Sequence, residues 1–417
     1  MANAAGADSA VTDEVLHCRA FLSRVAEPAN IPLWAFVSDV GPVAAVAQIL
    51  SDDLSDDVRS AVASRRSTVD PATDLDAARR HDIRLVVPES EDWPHFAFAC
   101  LEHAARERAA TYGPGHHTHL YSGEPIPPLA LWVKGAGDLA SLATRSVGIV
   151  GARACTMYGS HIARRLAREL AEAGFVVVSG GAYGIDAAAH RGALDAGAQT
   201  VIISAGGADT AYPSGNDSLF RHVIRNGLVV SESPPGAVPQ RRRFLTRNRL
   251  VAALSTGTVM VEAARRSGAA NTLAHSVRLG RPVMAVPGPV DSVMSAGCHD
   301  ALRREEWGTR LVTGVNDVLE VIGSATDLPS PTTFATTAGV DRTRVILDEL
   351  EPDERYVFDA LPADRGVGVD ELVVSSGLAP GCVLRSLPSL EAAGLVSRDE
   401  DGLWSVLVGR RRRPGTA

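Results

Sequence analysis

Five arginines and one aromatic ring lie within ten residues, from Gln240 to Arg249. Arginine side chains bind phosphate oxygens in pairs, and an aromatic ring between them can stack on an unpaired base. Leu250, Val251 and Leu254 follow at helical spacing, so the basic run opens a helix. Positive charge at the positive end of a helix costs stability unless an anion binds there. The run therefore predicts a site for single-stranded nucleic acid, and a solvated basic helix start is the simpler alternative.

Two glycine-containing turns provide a second set of candidate residues. The apolar run Val147–Val150 ends at Gly151, and the run Phe175–Val178 leads into Ser179-Gly180-Gly181-Ala182-Tyr183-Gly184. A turn between a strand and a helix offers backbone N–H groups to an anion, and glycine lets a large ligand approach closely. Neither GxGxxG nor GxxxxGK[ST] occurs in the chain, so a plain dinucleotide or nucleotide triphosphatase site is poorly supported. Tight turns without a ligand are the alternative.

The elements around these turns predict an α/β fold. Between the turns, Ile162, Leu166 and Leu170 mark an amphipathic helix, and Gly174 follows as its C-terminal cap. Two strand–turn–helix units in succession indicate parallel strands with right-handed crossovers, in an extended, Rossmann-like, doubly wound sheet. Further strands are expected at Ile83–Val87, Leu129–Gly135, Thr200–Ser204, Leu228–Ser231, Thr258–Val261 and Pro282–Val286.

The order of the motifs resembles the DNA-processing protein A family, DprA, which is also called Smf. The motifs that carry the resemblance are VGIVGAR (147–153), YG (158–159), VVSGGAYGIDAAAHRGAL (177–194), YPSGN (212–216), SESPPG (231–236), FLTRNRLVAALS (244–255), VMVEAA (259–264), RSGA (266–269), AVPGP (285–289) and GCHDALR (297–303). Leu245 stands where most of the family has proline. Each motif is short, but together and in this order they are highly specific.

The resemblance implies a bacterial recombination mediator that binds and protects single-stranded DNA. Such a protein loads the RecA recombinase during natural transformation, so the implied partners are single-stranded DNA, RecA and a second copy of the chain. We expect no cofactor, no metal and no catalytic residue. The expected DNA-binding residues are Arg153, Ser179, Gly180, Gly181, Gly184, Arg241, Phe244, Arg247, Asn248 and Arg249.

Each of these residues has an expected role. Arg153, Arg241, Arg247 and Arg249 should line one pocket and meet phosphates, and Phe244 should stack on a base. The glycines should admit the strand and offer N–H groups. Asp186 stands just inside a helix start, where its charge favours the helix dipole but would oppose a phosphate.

An enzyme is the main alternative. Glu262 follows a strand and a Thr-Gly turn, as a glutamate does in related Rossmann-like folds that hydrolyse nucleotide N-glycosidic bonds. The sequence PGGxGT does not occur, and the chain offers neither a Ser/His/Asp triad nor a convincing pair of acid and base carboxylates. We therefore expect a binding protein, with a nucleotide-binding protein or N-glycosidic hydrolase as the alternative.

Composition limits where nucleic acid can bind. The 417 residues carry a formal net charge of −8, so binding must come from local basic patches. The five cysteines are scattered without a CxxC pair, which is typical of reduced thiols in a cytosol. Neither a secretory h-region nor an 18-residue apolar run occurs, so we expect a cytoplasmic protein without a membrane span.

Composition also predicts the domain boundaries. Residues 1–80 read as a small helical domain that resembles SAM or helix-hairpin-helix units, and residues 81–323 as the α/β domain. A Ser/Thr/Pro-rich linker at 324–341 precedes a winged-helix domain at 342–409 and a basic tail at 410–417. His116, His117 and His119 could bind metal, but a polar surface loop is the favoured interpretation.

Overall fold

The computed structural model describes residues 11–112, 124–265, 267–323, 351–362, 365–376, 378–399 and 402–407. It divides into two compact units, Met1–Leu328 and Pro329–Ala417, which are described separately. The three histidines at 116, 117 and 119, the linker at 324–341 and the tail at 410–417 lie outside the described residues. The proposed boundaries between domains stay predictions.

One mixed sheet of nine strands organises the described part of the first unit. The strands are β1 (Ile83–Val86), β2 (Leu131–Lys134), β3 (Ser146–Val150), β4 (Val176–Ser179), β5 (Thr200–Ser204), β6 (Leu228–Ser231), β7 (Gly257–Met260), β8 (Val283–Ala285) and β9 (Arg310–Leu311). Their order across the sheet is β1-β2-β6-β5-β4-β3-β7-β8-β9. The pairs β1–β2 and β2–β6 are antiparallel, and the other pairs are parallel.

Helices cover both faces of this sheet. They are α6 (His95–Tyr112), α7 (Leu139–Thr144), α8 (Met157–Glu172), α9 (Ile185–Asp195), α10 (Asp217–Asn226), α11 (Arg241–Ala253), α12 (Gly268–Arg278), α13 (Ala296–Arg303) and α14 (Val315–Ile322). One core lies between the sheet and α8 and α9, and another lies between the sheet and α11 and α12. The strands β3, β5, β6, β7 and β8 are buried along their whole length because helices cover both faces of the sheet there, whereas β9 at the edge is exposed.

The order of the strands reverses beside β3. From β3 the chain builds outward through β4, β5 and β6, and it then returns to place β7 on the other side of β3. Loops diverge at the carboxyl ends of the strands at such a switch point, and this opens a crevice where ligands bind. Both glycine turns follow strands of this central region.

A helical region precedes the sheet in the first unit. It comprises α1 (Asp13–Val25), α2 (Ile31–Val40), α3 (Pro42–Ser51), α4 (Asp56–Val62) and α5 (Pro71–Arg80). The helix α2 continues to Val40, because Leu33, Trp34 and Val37 form a buried face, and only Gly41 at φ 81° separates α2 from α3.

The sequence analysis also missed α6. The glycines, prolines and histidines of residues 113–128 indicate a loop. The helix His95–Tyr112, which precedes that segment, was not predicted. The buried side chains of Phe98 and Leu101 anchor this helix in the core.

Ionic contacts join the helical region to the α/β region. Arg24 pairs with Asp74, and one of its Nη atoms donates to the carbonyl of Pro235 at 2.9 Å. The carboxylate of Glu27 accepts hydrogen bonds from Arg65 and from Arg243, which lies in the first turn of α11. Burial acts to raise the pKa of Glu27, but the two arginines outweigh it and lower the pKa to about 2. Arg243 therefore belongs to a structural contact.

The second unit contains three helices and a hairpin in its described residues. They are α15 (Pro352–Asp359), α16 (Val369–Ser376), α17 (Pro380–Ala392), β10 (Val396–Arg398) and β11 (Trp404–Val406). These elements form the predicted winged helix. The helix α17 runs through Pro388 because its face with Val383, Leu387 and Leu390 packs in the core.

All five cysteines are free thiols. In the described ranges, no single helix is long and apolar enough to cross a membrane. The pair α2 and α3 meets that length and composition only jointly, across a bend of 117°.

The contact between Glu27 and the two arginines generates a prediction of pH dependence. Glu27→Gln should destabilise the protein at pH 7, by on the order of 1–3 kcal/mol, because the charged hydrogen bonds are lost. A carboxylate whose pKa is lowered on folding stabilises above its unfolded pKa and loses that effect as the pH falls through its folded value. The difference in the free energy of unfolding between Glu27→Gln and the parent should therefore become smaller as the pH falls from about 4.5 to 2.

Urea unfolding at pH 7, 5 and 3 measures this difference. Glu305→Gln, at an exposed carboxylate, is the matched control and should leave the free energy of unfolding nearly unchanged. A difference between Glu27→Gln and the parent that stays constant over this pH range would contradict the assignment.

Candidate functional site

A cavity of about 340 Å³ opens at the switch point of the sheet. The ends of β3 and β4, the residues after β7, the helix α11 and the start of α12 line it. Five of the ten predicted site residues lie in its wall: Arg153, Gly180, Phe244, Arg247 and Asn248. The structure thus brings together the basic run and both glycine turns, which the sequence separates by up to a hundred residues.

Glu262 holds the first glycine turn in place. Its carboxylate accepts from the backbone N–H and the hydroxyl of Thr156, at 2.8 and 2.6 Å, and its carbonyl accepts from the N–H of Ala152 at 2.6 Å. The side chain is 2% exposed and is not part of the cavity wall. Glu262 therefore positions the turn and the start of α8.

Asp186 holds the second glycine turn from the inside. One carboxylate oxygen accepts from the backbone N–H of Gly180 at 3.2 Å and of Ala182 at 3.4 Å. The N–H group of Gly180, which was predicted to meet phosphate, is therefore bound to Asp186 in this structure. The carboxylate of Asp186, in the first turn of α9, already accepts the hydrogen bonds of the N–H groups of Gly180 and Ala182. Burial raises the pKa of Asp186, while the charge of Arg247 opposes the shift.

Arg247 lies beneath the cavity and is itself buried. One of its Nη atoms donates to the carbonyl of Gly180 at 2.8 Å and also to the carbonyl of Ile203, and its Nε donates to Asn248 at 3.3 Å. Burial lowers its pKa to about 10, so the group remains a cation at neutral pH. Arg247 and Asp186 have opposite charges and lie close together at the floor of the cavity, and the guanidinium of Arg247 is already bound to two backbone carbonyls.

Three of the predicted residues lie behind this floor. The hydroxyl of Ser179 is buried and donates to the carbonyl of Ile149 at 2.6 Å. Gly181 and Gly184 have φ of 70° and 76°, and a Cβ on either would stand within 3 Å of Phe220 or of the Ala152 carbonyl. For these glycines the tight-turn alternative describes the geometry. Packed atoms occupy the space where a Cβ would lie, so packing requires glycine at both positions, and the expectation that these glycines admit the strand stays a prediction.

Phe244 lies at the mouth of the cavity, in contact with two other flat groups. The guanidinium carbon of Arg153 is 4.9 Å from the centroid of the Phe244 ring. The ring of Tyr212 lies 5.4 Å from the same ring and is tilted by 50°. Arg153 is exposed and Phe244 is half-buried, so both face solvent at the mouth.

The remaining predicted residues do not lie together at the cavity. Asn248 lines the cavity and donates to Asn271 at 3.0 Å and to the Gly268 carbonyl at 3.3 Å, which joins α11 to the start of α12. Arg241 is exposed in the first turn of α11, outside the cavity wall. No side chain caps the start of this helix, and its first turn contains no acidic residue.

Arg249 does not reach the cavity, which corrects the sequence prediction. It is 0% exposed, and its two Nη atoms donate to the carboxylate of Glu232 at 2.8 and 2.6 Å. Its Nε donates to the Ile126 carbonyl at 2.8 Å. Two residues along a helix span about 200°, so Arg249 points away from the side of α11 that carries Arg247.

Sequence reasoning missed two residues of this site. Tyr212 lay inside the quoted motif YPSGN, and its aromatic type was the available signal. Asp186 was assigned to the helix dipole, but its hydrogen bonds to the glycine turn could not be read from spacing. In the described residues, no group of three or more His, Cys, Asp or Glu side chains is placed to hold a metal.

Known proteins resemble this chain over both units. A family model described as DNA recombination-mediator protein A matches residues 110–323, and one described as DprA winged helix domain matches residues 343–402. A putative DNA processing protein DprA of Mycobacterium tuberculosis strain H37Rv is 44% identical over 95% of each chain. DNA processing protein DprA of Bacillus subtilis is 34% identical over 46% of this chain and 64% of its own. The X-ray structure of DprA from Streptococcus pneumoniae superposes with a TM-score of 0.59 at 25% identity, covering 75% of this chain and 99% of its own.

The burial of Arg249 generates a prediction that separates structure from binding. Arg249→Ala leaves the carboxylate of Glu232 without its partner in the interior and should lower the free energy of unfolding by about 3–5 kcal/mol. Arg241→Ala, in the same helix but exposed, should change it by less than about 0.5 kcal/mol.

Urea unfolding of the two variants tests this contrast. The double variant Arg249→Met with Glu232→Leu should regain much of the lost stability, because it removes both charges together. Equal stability of Arg249→Ala and the parent would show that the pair is not structural.

Proposed function

Because the chain belongs to the DNA recombination-mediator protein A family, we propose that it binds single-stranded DNA at the cavity of the α/β region. In this proposal a base enters the cavity and the neighbouring phosphates lie at its mouth. The observation that carries the proposal is a cavity whose buried Arg247 is already bound to backbone carbonyls, together with the exposed Arg153 and the aromatic rings at its mouth. The protein then acts as a recombination mediator and not as an enzyme.

The cavity suits a base better than a phosphate. Its volume of about 340 Å³ is that of a small-ligand pocket, and apolar side chains such as Val150, Leu245 and Val251 form part of the wall. A planar, uncharged heterocycle fits between apolar walls, and the polar groups of Asn248 and Thr272 can meet its edge. A phosphate would meet a floor whose guanidinium is already bound to two backbone carbonyls.

The rim suits phosphates. Arg153 and Arg241 are both exposed, and Arg241 stands at the uncapped positive end of α11. A guanidinium that faces solvent can bind two phosphate oxygens without first breaking buried contacts. Because Arg153 is exposed, its side chain can also turn away from the Phe244 ring and leave that face to a base.

This arrangement favours a single strand over a duplex. Bases in a duplex are already paired and stacked, so they reach neither the cavity nor the Phe244 ring. A net charge of −8 over the chain keeps non-specific attraction to DNA weak, and binding depends on the local rim.

Loading of RecA, action in natural transformation, cytoplasmic location and self-association into a dimer complete the proposal. Family membership supports them, and the surfaces that would carry out loading and dimerisation are to be mapped by experiment.

The hydrolase alternative fits the geometry less well. A general acid or base must reach the scissile bond within hydrogen-bond distance. Both carboxylate oxygens of Glu262 are bound to Thr156, and the side chain is buried outside the cavity wall. Asp186 faces the cavity, but it has no second carboxylate beside it in the wall.

The rim arginines generate a prediction on salt dependence. Arg153→Ala and Arg241→Ala should each weaken binding to all strand sequences alike and lower the salt slope by roughly 0.7 per lost phosphate contact. Phe244→Ala should cost about 1–3 kcal/mol with the salt slope nearly unchanged, because it removes stacking and no charge.

Fluorescence anisotropy at several salt concentrations measures both effects, with a duplex of equal length as comparison. Arg304→Ala, at an exposed arginine that stacks on Trp307 away from the cavity, is the matched control and should bind as the parent does. Equal affinity for duplex and single strand would contradict the proposal.

Incubation with nucleoside monophosphates tests the hydrolase alternative. We expect no release of free base by the parent, because no acid–base pair reaches the cavity. Base release that disappears in Glu262→Gln, in a variant that still unfolds cooperatively, would overturn the assignment as a binding protein.

A further inference from the structure

We infer that Tyr212 is a second base-stacking residue, which binds the nucleotide next to the one at the cavity. The inference rests on the proposed function and extends it, because it adds a defined neighbouring subsite. Tyr212 and Phe244 would thus receive two successive unpaired bases of one strand.

Tyr212 stands next to Phe244 on the side away from the cavity. The two ring centroids are 5.4 Å apart, and Phe244 is part of the cavity wall whereas Tyr212 is not. Tyr212 is 46% exposed, so its ring offers a free surface after the contact with Phe244 is counted. The order from the cavity outward is therefore cavity, Phe244, Tyr212.

The segment that contains Tyr212 is joined to the second glycine turn by hydrogen bonds. The side-chain amide of Asn216 is buried and donates to the carbonyls of Gly181 and Ala182, at 3.0 and 3.1 Å. Gly215 lies so close to the Tyr183 hydroxyl that a Cβ there would stand 2.4 Å from it. An exposed ring on such a fixed segment is already oriented before a ligand arrives, which lowers the entropic cost of binding.

The spacing and tilt of the two rings suit a single strand. Nucleotides in a duplex strand rise by about 3.4 Å, so rings 5.4 Å apart match neighbouring bases of a strand that is stretched beyond the duplex. The tilt of 50° requires the strand to bend between the two bases. A single strand can bend in this way, whereas a duplex holds its bases parallel.

Phe244 alone offers less stacking surface than its exposure suggests. The guanidinium of Arg153 lies over its ring and Tyr212 lies against it, so part of the ring is already covered. Tyr212 is the more exposed of the two rings, and a base can stack on it without displacing Arg153. An aromatic ring stacks on any base, so this subsite adds affinity without sequence preference.

Paired oligonucleotides separate stacking from phosphate contact. We propose to measure the affinity of the full chain for a labelled thymidine strand and for a strand of equal length that contains abasic sites. The variants are Tyr212→Ala and Tyr212→Trp, with Phe96→Ala as the control, since Phe96 is an exposed ring on α6 outside the cavity wall. Unfolding midpoints of all variants establish that they fold.

We expect Tyr212→Ala to lower the affinity for the base-containing strand by about 5- to 100-fold. The affinity for the abasic strand should stay that of the parent. The salt slope should stay that of the parent, because no charge is lost. Tyr212→Trp, which keeps a stacking ring, and Phe96→Ala should both bind as the parent does. The fluorescence of a strand that contains 2-aminopurine should be quenched by the parent, and it should be quenched less by Tyr212→Ala.

Two results would overturn the inference. Tyr212→Ala could bind the base-containing strand as tightly as the parent, or it could weaken the binding of both strands equally, which would show that its effect does not come from base stacking. If the parent binds neither strand, the proposed function itself fails. If Arg153→Ala and Arg241→Ala weaken binding and Tyr212→Ala does not, only the second stacking site is lost.

Discussion

The site depends on one buried cation. The guanidinium of Arg247 lies against the carbonyls of Gly180 and Ile203, which end β4 and β5, and the carboxylate of Asp186 compensates its charge. Asp186 in turn accepts the N–H groups of the second glycine turn. These contacts join α9, α11 and two strand ends. They give the cavity its shape and bind the polar groups of its floor.

This arrangement separates two parts of ligand recognition. Phosphate affinity belongs to side chains that can move in solvent, and base affinity belongs to a preformed cavity and to rings at its mouth. A single strand can supply both groups at one place, because its bases turn away from its backbone. The chain needs no overall positive charge for this purpose, and its net charge of −8 is compatible with a few local contacts.

The five arginines of the basic run have different roles because a helix turns by about 100° at each residue. Arg243 points to Glu27 in the helical region, Arg249 points to Glu232 in the interior, and Arg247 points to the strand ends. Arg241 remains exposed at the helix start. Arg242 is exposed in the same turn. A run that reads as one charged patch therefore provides structural cations for three different contacts and two arginines that face solvent.

The sequence by itself determined the architecture of the described chain. The apolar runs placed β5 and β6 at their observed bounds, the glycine turns marked the ends of β3 and β4, and the order of the motifs identified the family. The spacing of apolar residues, the residue types at turns and the order of the motifs can be read directly from the sequence. The arginine run, both glycine turns and the motif that contains Tyr212 were all visible at this level.

Only the tertiary structure decided which of these residues face a ligand. Ser179 and Arg249 have the residue types of a DNA site, yet their polar atoms are bound to Ile149 and Glu232. Asp186 was expected to repel a ligand, and it instead holds the turn that shapes the cavity. The partner of a polar side chain comes from a distant part of the chain, as Glu27 does for Arg243 across 216 residues. Burial and partner choice depend on that long-range packing, which spacing along one strand or helix does not encode.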